Sequence, residues 1–260
     1  MAFVCQQLTR KGEEDSVKHQ AWVILNDIQL PFEDKRVLWD LVVPFVQRLK
    51  PYGIVLNGDI VDCYEISDYD KDPVHRGVSL KRERAAAIKL MQALPKAEER
   101  WWLGGNHEDR FRRLIWREAP QLADDIAFES FFKLADYGYK WKSYGNPLKI
   151  GKLLLTHGFL VAQASGASAK RHFERLGTSV LIGHTHRLGT FHVRNQGGDH
   201  AAFENGCLCK RDGLGYAQYP NWQHGFAIVH VFKGGYFNVQ QIRIINRSFF
   251  VYGDQMVRAA

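Results

Sequence analysis

Short apolar runs that end in polar, glycine-bearing loops recur along this chain. WVIL leads into Asn26-Asp27-Ile28-Gln29, GIVL into Asn57-Gly58-Asp59, and RWWL into Gly104-Gly105-Asn106-His107-Glu108. KLLL leads into Thr156-His157-Gly158, and SVLI into Gly183-His184-Thr185-His186. Runs that do not alternate are the mark of central strands covered on both faces, and parallel strands bring their carboxyl ends to one edge. In open α/β sheets that edge is where ligands bind.

The same pattern predicts the elements between the loops. Strands are expected over 21–25, 54–56, 100–103 and 152–155. Val37, Leu38, Leu41, Val42, Phe45, Val46 and Leu49 recur at helical spacing, with Pro44 inside the stretch to kink or split it. Strand, helix, strand at this length is a right-handed βαβ unit. A helix is expected over 80–94, its Lys81-Arg82-Glu83-Arg84 run forming a solvated face. Two helices interrupted near Pro120 are expected over 110–136, an irregular stretch over 139–150, and a loop opening a basic helix over 164–176. The last quarter is β-rich at 190–193, 225–232 and 236–244. Lys233-Gly234-Gly235 is a hairpin signal, and a separate, mostly antiparallel group of strands is expected there. The division is a lead-in over 1–20, one domain over 21–250 and a tail over 251–260.

Composition narrows the class. With 45% hydrophobic and 24% charged residues in 260, the chain can bury a sizeable core and does not resemble a disordered one. It carries no run of eighteen apolar residues and no apolar signal core, so export and membrane association are not expected, and a cytoplasmic protein is. Thirty-five Lys and Arg against 28 Asp and Glu leave +7, which favours polyanionic partners. Cys5, Cys63, Cys207 and Cys209 contain no CxxC pair and are expected as reduced thiols. Cys207 and Cys209 with His200 fit no usual zinc signature and are expected in core or loop.

The loops carry the chemistry. His184 and His186 stand two apart, and in extended backbone such side chains point the same way. Carboxylates, an amide and imidazoles from these loops suffice for two adjacent metal ions. Such pairs, roughly 3.5–4 Å apart, clamp the attacking and leaving oxygens of a displacement at phosphorus. A carboxylate serving both cations is the natural centre, and Asp59, beside a glycine, is the candidate.

Taken in order, Asp27-x-Gln29, Gly58-Asp59-x-x-Asp62, Gly105-Asn106-His107-Glu108, Thr156-His157-Gly158 and Gly183-His184-Thr185-His186 resemble the motifs of the calcineurin-like metallophosphoesterase superfamily. The resemblance implies a four-layer α/β/β/α sandwich with mixed central sheets. It assigns Asp27, Asp59 and His186 to a first metal, and Asp59, Asn106, His157 and His184 to a second. It makes His107 the group that assists the leaving group and Asp62 the carboxylate that orients it. The cofactors implied are two divalent ions, manganese foremost, with iron, zinc, nickel or magnesium as alternatives. Gln29 stands where the family usually has a metal-binding histidine, and is expected at the first metal with a weaker donor. Cys63 stands where the phosphoprotein phosphatases have an arginine, which argues against that branch.

The activity expected is hydrolysis of phosphodiesters, with a nucleotide or nucleic acid as substrate. Arg110 is expected to bind substrate, and Arg112, Arg113, Lys170, Arg171 and Arg175 to line a basic rim beside the ligand loops. The alternatives are a phosphomonoesterase and a non-catalytic scaffold on the same fold.

Overall fold

The computed structural model describes residues 19–211 and 220–259. In chain order the strands are β1 Gln20–Leu25, β2 Gly53–Asn57, β3 Glu99–Leu103, β4 Lys140–Lys142, β5 Leu148–Ile150, β6 Leu153–Thr156 and β7 Val180–Ile182. They continue with β8 Leu188–Asn195, β9 Gly198–Asn205, β10 Gly225–Val231, β11 Phe237–Arg243, β12 Phe249–Tyr252 and β13 Gln255–Arg258. The α-helices are α1 Lys35–Val37, α2 Val43–Leu49, α3 Leu80–Ala93, α4 Asn106–Glu118, α5 Phe128–Phe131 and α6 Ala167–Leu176.

One sheet runs β11-β10-β1-β2-β3-β4 and the other β5-β6-β7-β9-β8. In the first, β1 to β4 are parallel and β10 returns antiparallel to β1. In the second, β6, β7 and β9 are parallel. Three apolar clusters show four layers. Val23, Leu25, Ile54 and Leu56 pack on the α1–α3 side with Val46, Ala87 and Leu90. Between the sheets lie Trp22, Ile24, Val55, Leu103, Leu155, Leu181 and Phe203. On the far side Ala169 and Phe173 of α6 cover Val180, Ile182 and Ala202. Because β1 and β2 have apolar residues at consecutive positions, each feeds two cores at once, which is why their sequences do not alternate. The sandwich is therefore the α/β/β/α arrangement with mixed sheets.

Several expectations need correcting. The late strands do not form a group of their own: β10 and β11 complete the first sheet while β8 and β9 complete the second. The 139–150 stretch holds two short strands, β4 and β5. Residues 251–260, expected as a tail, contain the end of β12 and all of β13, which pair as a hairpin whose Phe250 is fully buried. The 37–49 stretch is helical throughout, and a π-helical segment, Leu38–Val42, joins α1 to α2. Pro44 directly follows the π-helical segment, the kind of irregularity that lets a continuous helix accommodate a proline. Apart from its last two residues, the expected lead-in lies outside the described residues. Among those described, no helix is long and apolar enough to cross a membrane.

Candidate metal centre

The carboxyl ends of β1, β2, β3, β6 and β7 deliver all five loops to one place. Asp59 lies at its middle, nearly fully buried. Its Oδ2 stands 3.1 Å from His157 Nε2 and 3.6 Å from His107 Nε2, and its Oδ1 accepts from the His107 N–H at 3.0 Å. That N–H belongs to the first turn of α4, where the partial positive charge of the helix end favours an anion. Asp59, His157 and His184 offer donor atoms that all lie within 4.8 Å of one another. On the other side His186 Nε2 is 3.0 Å from Asp27 Oδ1 and 3.4 Å from the Gln29 amide nitrogen. Asp27 Oδ2 accepts from the His184 N–H at 2.9 Å, which ties the two halves together.

His184 and His186 are not extended: their φ values are 66° and 59°, in the left-handed region. They therefore diverge, His184 toward Asp59 and His157, His186 toward Asp27 and Gln29. Asp27, Gln29 and Asp59 are left-handed as well, at 50°, 52° and 50°. Two glycines allow the close approaches. A Cβ on Gly105 would sit 2.2 Å from Asp59 Oδ1, and one on Gly58, whose φ is +84°, would sit 2.5 Å from the His157 ring.

Electrostatics and orphaned atoms say what is wanted here. Burial opposes the Asp59 anion, but the imidazoles of His107, His157 and His184 hold its carboxyl well below the usual range. Burial likewise opposes charge on His157, yet Asp59 and Asp27 overcome it and lift the imidazole to about 10. Burial and the neighbouring His157 push His184 down to about 4. Asn106 Oδ1 is buried with no hydrogen-bond partner among the described residues, and the buried Asp27 Oδ1 and His157 Nε2 face only the ion-pair partners named above. Oxygen and imidazole donors clustered around buried anionic charge, one of them without a partner, fit divalent cations. The other side of His157 is already fixed, since its Nδ1 stands 3.0 Å from the Asn57 carbonyl and donates to it, leaving Nε2 with its lone pair free to ligate.

His107 and Asp62 meet as expected, Nδ1 to Oδ2 at 3.3 Å. Burial depresses the His107 imidazolium, but Asp59 and Asp62 outweigh burial and raise its pKa above the ordinary value. Arg110 also reaches the site, at 3.2 Å from His107 Nε2, with its guanidinium held by the Asp62 carbonyl at 2.7 Å and carboxylate at 3.2 Å. Of the basic rim, Arg112 pairs with Asp109, Arg113 with Asp68 and Lys170 with Glu174, while Arg171 donates to the Val161 carbonyl.

Sequence reasoning passed over the side chains that hold these loops. Glu108, within the motif but given no role, accepts from the N–H groups of Asp59, Ile60 and Gly105, each at 2.8 Å. Glu83, expected on a solvated face, is fully buried and accepts from the N–H groups of Cys63 and Tyr64 at 2.6 and 2.8 Å. Its register with Ala87, Leu90 and Met91, all buried, is the signal that could have found it. Glu204 accepts from the Ser168 N–H at 2.8 Å and the Thr185 hydroxyl at 3.0 Å. Asn205 donates to Asn26 Oδ1 at 2.6 Å. Neither carries a mark in the sequence.

The chain is 29% identical over 248 residues to the Gene 54 protein of Mycobacterium phage D29, covering 89% of this chain and 96% of that one. It is 29% identical over 259 residues to the Gene 54 protein of Mycobacterium phage L5, with the same coverage. Among solved structures, a dimetal phosphatase from Danio rerio aligns with a TM-score of 0.43 and 11% identity, covering 93% of this chain and 99% of that one. Vps29 from Chaetomium thermophilum aligns at 0.41 and 10%, covering 86% and 97%. The calcineurin-like phosphoesterase family matches residues 23–188, a span that takes in every loop of the site, and the chain belongs to that family.

Proposed function

We propose that this phosphoesterase hydrolyses phosphodiesters, with a nucleotide or nucleic acid as the substrate class. The family implies a dinuclear divalent metal centre. Asp27, Gln29, Asp59 and His186 would hold the first ion, and Asp59, Asn106, His157 and His184 the second. Such ions polarise a phosphoryl oxygen and make water nucleophilic near neutral pH. The protein's own groups do the rest. His107 protonates the leaving oxygen, a role that needs the imidazolium, and the Asp62 carboxylate at 3.3 Å both favours that form and fixes the ring. Arg110 sits against the same imidazole and is placed to steady a phosphate oxygen.

The observation that supports a diester over a monoester is the commitment of the arginines. Arg110 is tied to Asp62, Arg112 to Asp109, and Arg113 and Arg117 to Asp68. Arginines on α4 so committed to acidic neighbours suit the single charge of a diester better than the near-dianion of a monoester at neutral pH. Phe159, next to the His157 loop and 45% exposed, offers an aromatic face on which a base can stack.

The test is hydrolysis of bis-nitrophenyl phosphate, nitrophenyl phosphate, linear and single-stranded DNA, and RNA by protein reloaded with Mn2+ after chelation. Diester turnover well above monoester turnover is expected. The reverse preference refutes the diester assignment, and full turnover in chelator refutes the metal mechanism.

A further inference from the structure

Behind the first centre lies a second donor cluster of different chemistry. Cys207 and Cys209 are fully buried, and together with His186 they offer donor atoms that all lie within 4.8 Å of one another. Cys209 Sγ stands 3.7 Å from His186 Nδ1, and Cys207 is within hydrogen-bonding reach of Cys209. His200, the partner weighed from the sequence, instead packs against Phe173. The backbone is tightly held: Cys209 N–H donates to the Asp27 carbonyl at 2.9 Å and Cys207 N–H to the Gln223 carbonyl at 3.0 Å. Trp222 closes the His186 ring from above, with centroids 4.3 Å apart.

Distance decides what such a cluster suits. A tetrahedral zinc ion with Zn–S of about 2.3 Å and Zn–N of about 2.05 Å holds its sulfur and nitrogen ligands about 3.6 Å apart. The observed sulfur to nitrogen distance is 3.7 Å. Two sulfurs and an imidazole on a fixed backbone are a soft donor set, which selects zinc and its relatives over manganese or magnesium.

We propose that His186, Cys207 and Cys209 form a thiophilic cation site, filled by zinc-class ions, that competes with the first phosphoesterase metal for the His186 imidazole. Competition follows from the ring itself. A neutral imidazole has one lone pair and one N–H. With Nε2 toward Asp27 it serves the first centre; with Nδ1 given to the sulfur-bound ion, its proton faces Asp27 and the first centre loses a ligand. Gln29 makes that loss heavier, because an amide oxygen is a weaker donor than the imidazole the family usually has there. Each thiol releases its proton as its sulfur takes the ion. Zinc above catalytic need therefore acts as an inhibitor. The competition rests on the assignment of His186 to the first centre, whereas the existence of the thiol site does not.

Reduced full-length protein, stripped by chelator, is titrated with Co2+ and followed in the near ultraviolet. A sulfur-to-cobalt charge-transfer band is expected in the wild type and lost in Cys207→Ser and Cys209→Ser. No band from folded wild-type protein at saturating Co2+, or a band that persists in both variants, overturns the site. Since the wild type alone can give the first of these results, a variant that fails to fold does not rescue the proposal. Zn2+ is then added to Mn2+-loaded protein and the released Mn2+ read by electron paramagnetic resonance. Zinc should release Mn2+ at concentrations roughly tenfold or more lower from the wild type than from Cys207→Ser. Equal release from both overturns the competition. Neither readout depends on turnover, so an inactive phosphoesterase and a missing thiol site are distinguishable.

Discussion

Replacing Glu108 by Gln tests whether the loop that carries Asp59 is held by a buried carboxylate. Glu108 Oε2 accepts from the Asp59 and Gly105 N–H groups, and Oε1 from Ile60, with Val61 N–H and Trp102 Nε1 at 3.3 Å. An amide has one accepting oxygen, so in either orientation its NH2 faces at least two N–H donors. Hydrogen bonds to a charged acceptor are worth about 1.5–3 kcal/mol each, so two lost bonds amount to roughly 3–6 kcal/mol. An opposing effect reduces this. Burial, with Asp59 repelling, pushes the Glu108 carboxyl pKa up, and a neutral amide escapes that penalty. The net loss expected is about 2–4 kcal/mol, which for a chain of this size lowers Tm by about 5–15 °C. Metal affinity should fall roughly tenfold or more, because the 59–61 backbone is no longer anchored. Urea unfolding and calorimetric metal titration measure the two. A Tm within about 2 °C of wild type with unchanged metal affinity refutes the clamp.

Asp59→Asn should abolish cooperative binding of two metals by removing the shared anion; metal analysis showing two tightly bound ions in the variant would remove Asp59 from the centre. His107→Ala should retain metal but slow diester hydrolysis by about 10²–10⁴-fold. That loss should shrink for nitrophenyl leaving groups, and an equal loss for alkyl and nitrophenyl esters excludes the acid role. Burial lifts Glu83 to about 8 from an ordinary 4.5, against the pull of its two backbone donors. A carboxyl raised in the fold stabilises it below the unfolded pKa and loses that contribution as pH climbs toward 8. Urea midpoints in chelator should therefore fall between about pH 5 and 8, and the fall should flatten in Glu83→Gln. A slope unchanged by the substitution shows that Glu83 does not titrate across this window.

The candidate ligand side chains were legible because metal chemistry restricts residue types and strand ends restrict their places. Asp27, Asp59, Asn106, His157, His184 and His186 each follow an apolar run, and the fold brings every one of those runs to one edge. What supports them was not. Glu204 and Asn205 lie inside β9, and neither a buried carboxylate that accepts from backbone N–H groups nor a buried amide that donates to a carbonyl and a neighbouring amide has a spacing rule. Glu83 sat in a charged run whose composition resembles a solvated face; only its register with Ala87 and Leu90 tells otherwise. Strand pairing was equally hidden, since β10 and β11 carry the alternation of a hairpin and nothing local says that β10 will lie beside β1. The Cys207, Cys209 and His186 cluster joins two cysteines to a histidine 21 and 23 positions before them, through a loop that only the fold returns to β1.

The backbone of the site connects these points. Asp27, Gln29, Asp59, His184 and His186 all have left-handed φ, and Cys63, directly after Asp62, is another at 52°. For residues with a Cβ this conformation costs about 1–2 kcal/mol each, so the five candidate ligands together cost roughly 5–10 kcal/mol. That is comparable with the whole stability of a typical domain, about 5–15 kcal/mol. Such a set persists only where the surroundings over-determine it. Here each loop is pinned from behind by hydrogen bonds that serve no cation. Glu108 holds residues 59–61, Glu83 holds Cys63 and Tyr64, and Glu204 holds Thr185. The N–H groups of Leu208 and Cys209 hold the Asp27 carbonyl, while the Gln29 N–H bonds to the Asp59 carbonyl. The donor atoms are thereby aimed before any ion arrives, and an ion that enters need not reorganise the backbone. The same logic explains why the clamps are carboxyl groups: one such side chain offers two oxygens, enough to accept from two or three N–H groups at once. It follows that substitutions at Glu108 or Glu204 should lower metal affinity at temperatures where the sandwich is still folded, because the loops relax toward ordinary φ before the two sheets separate.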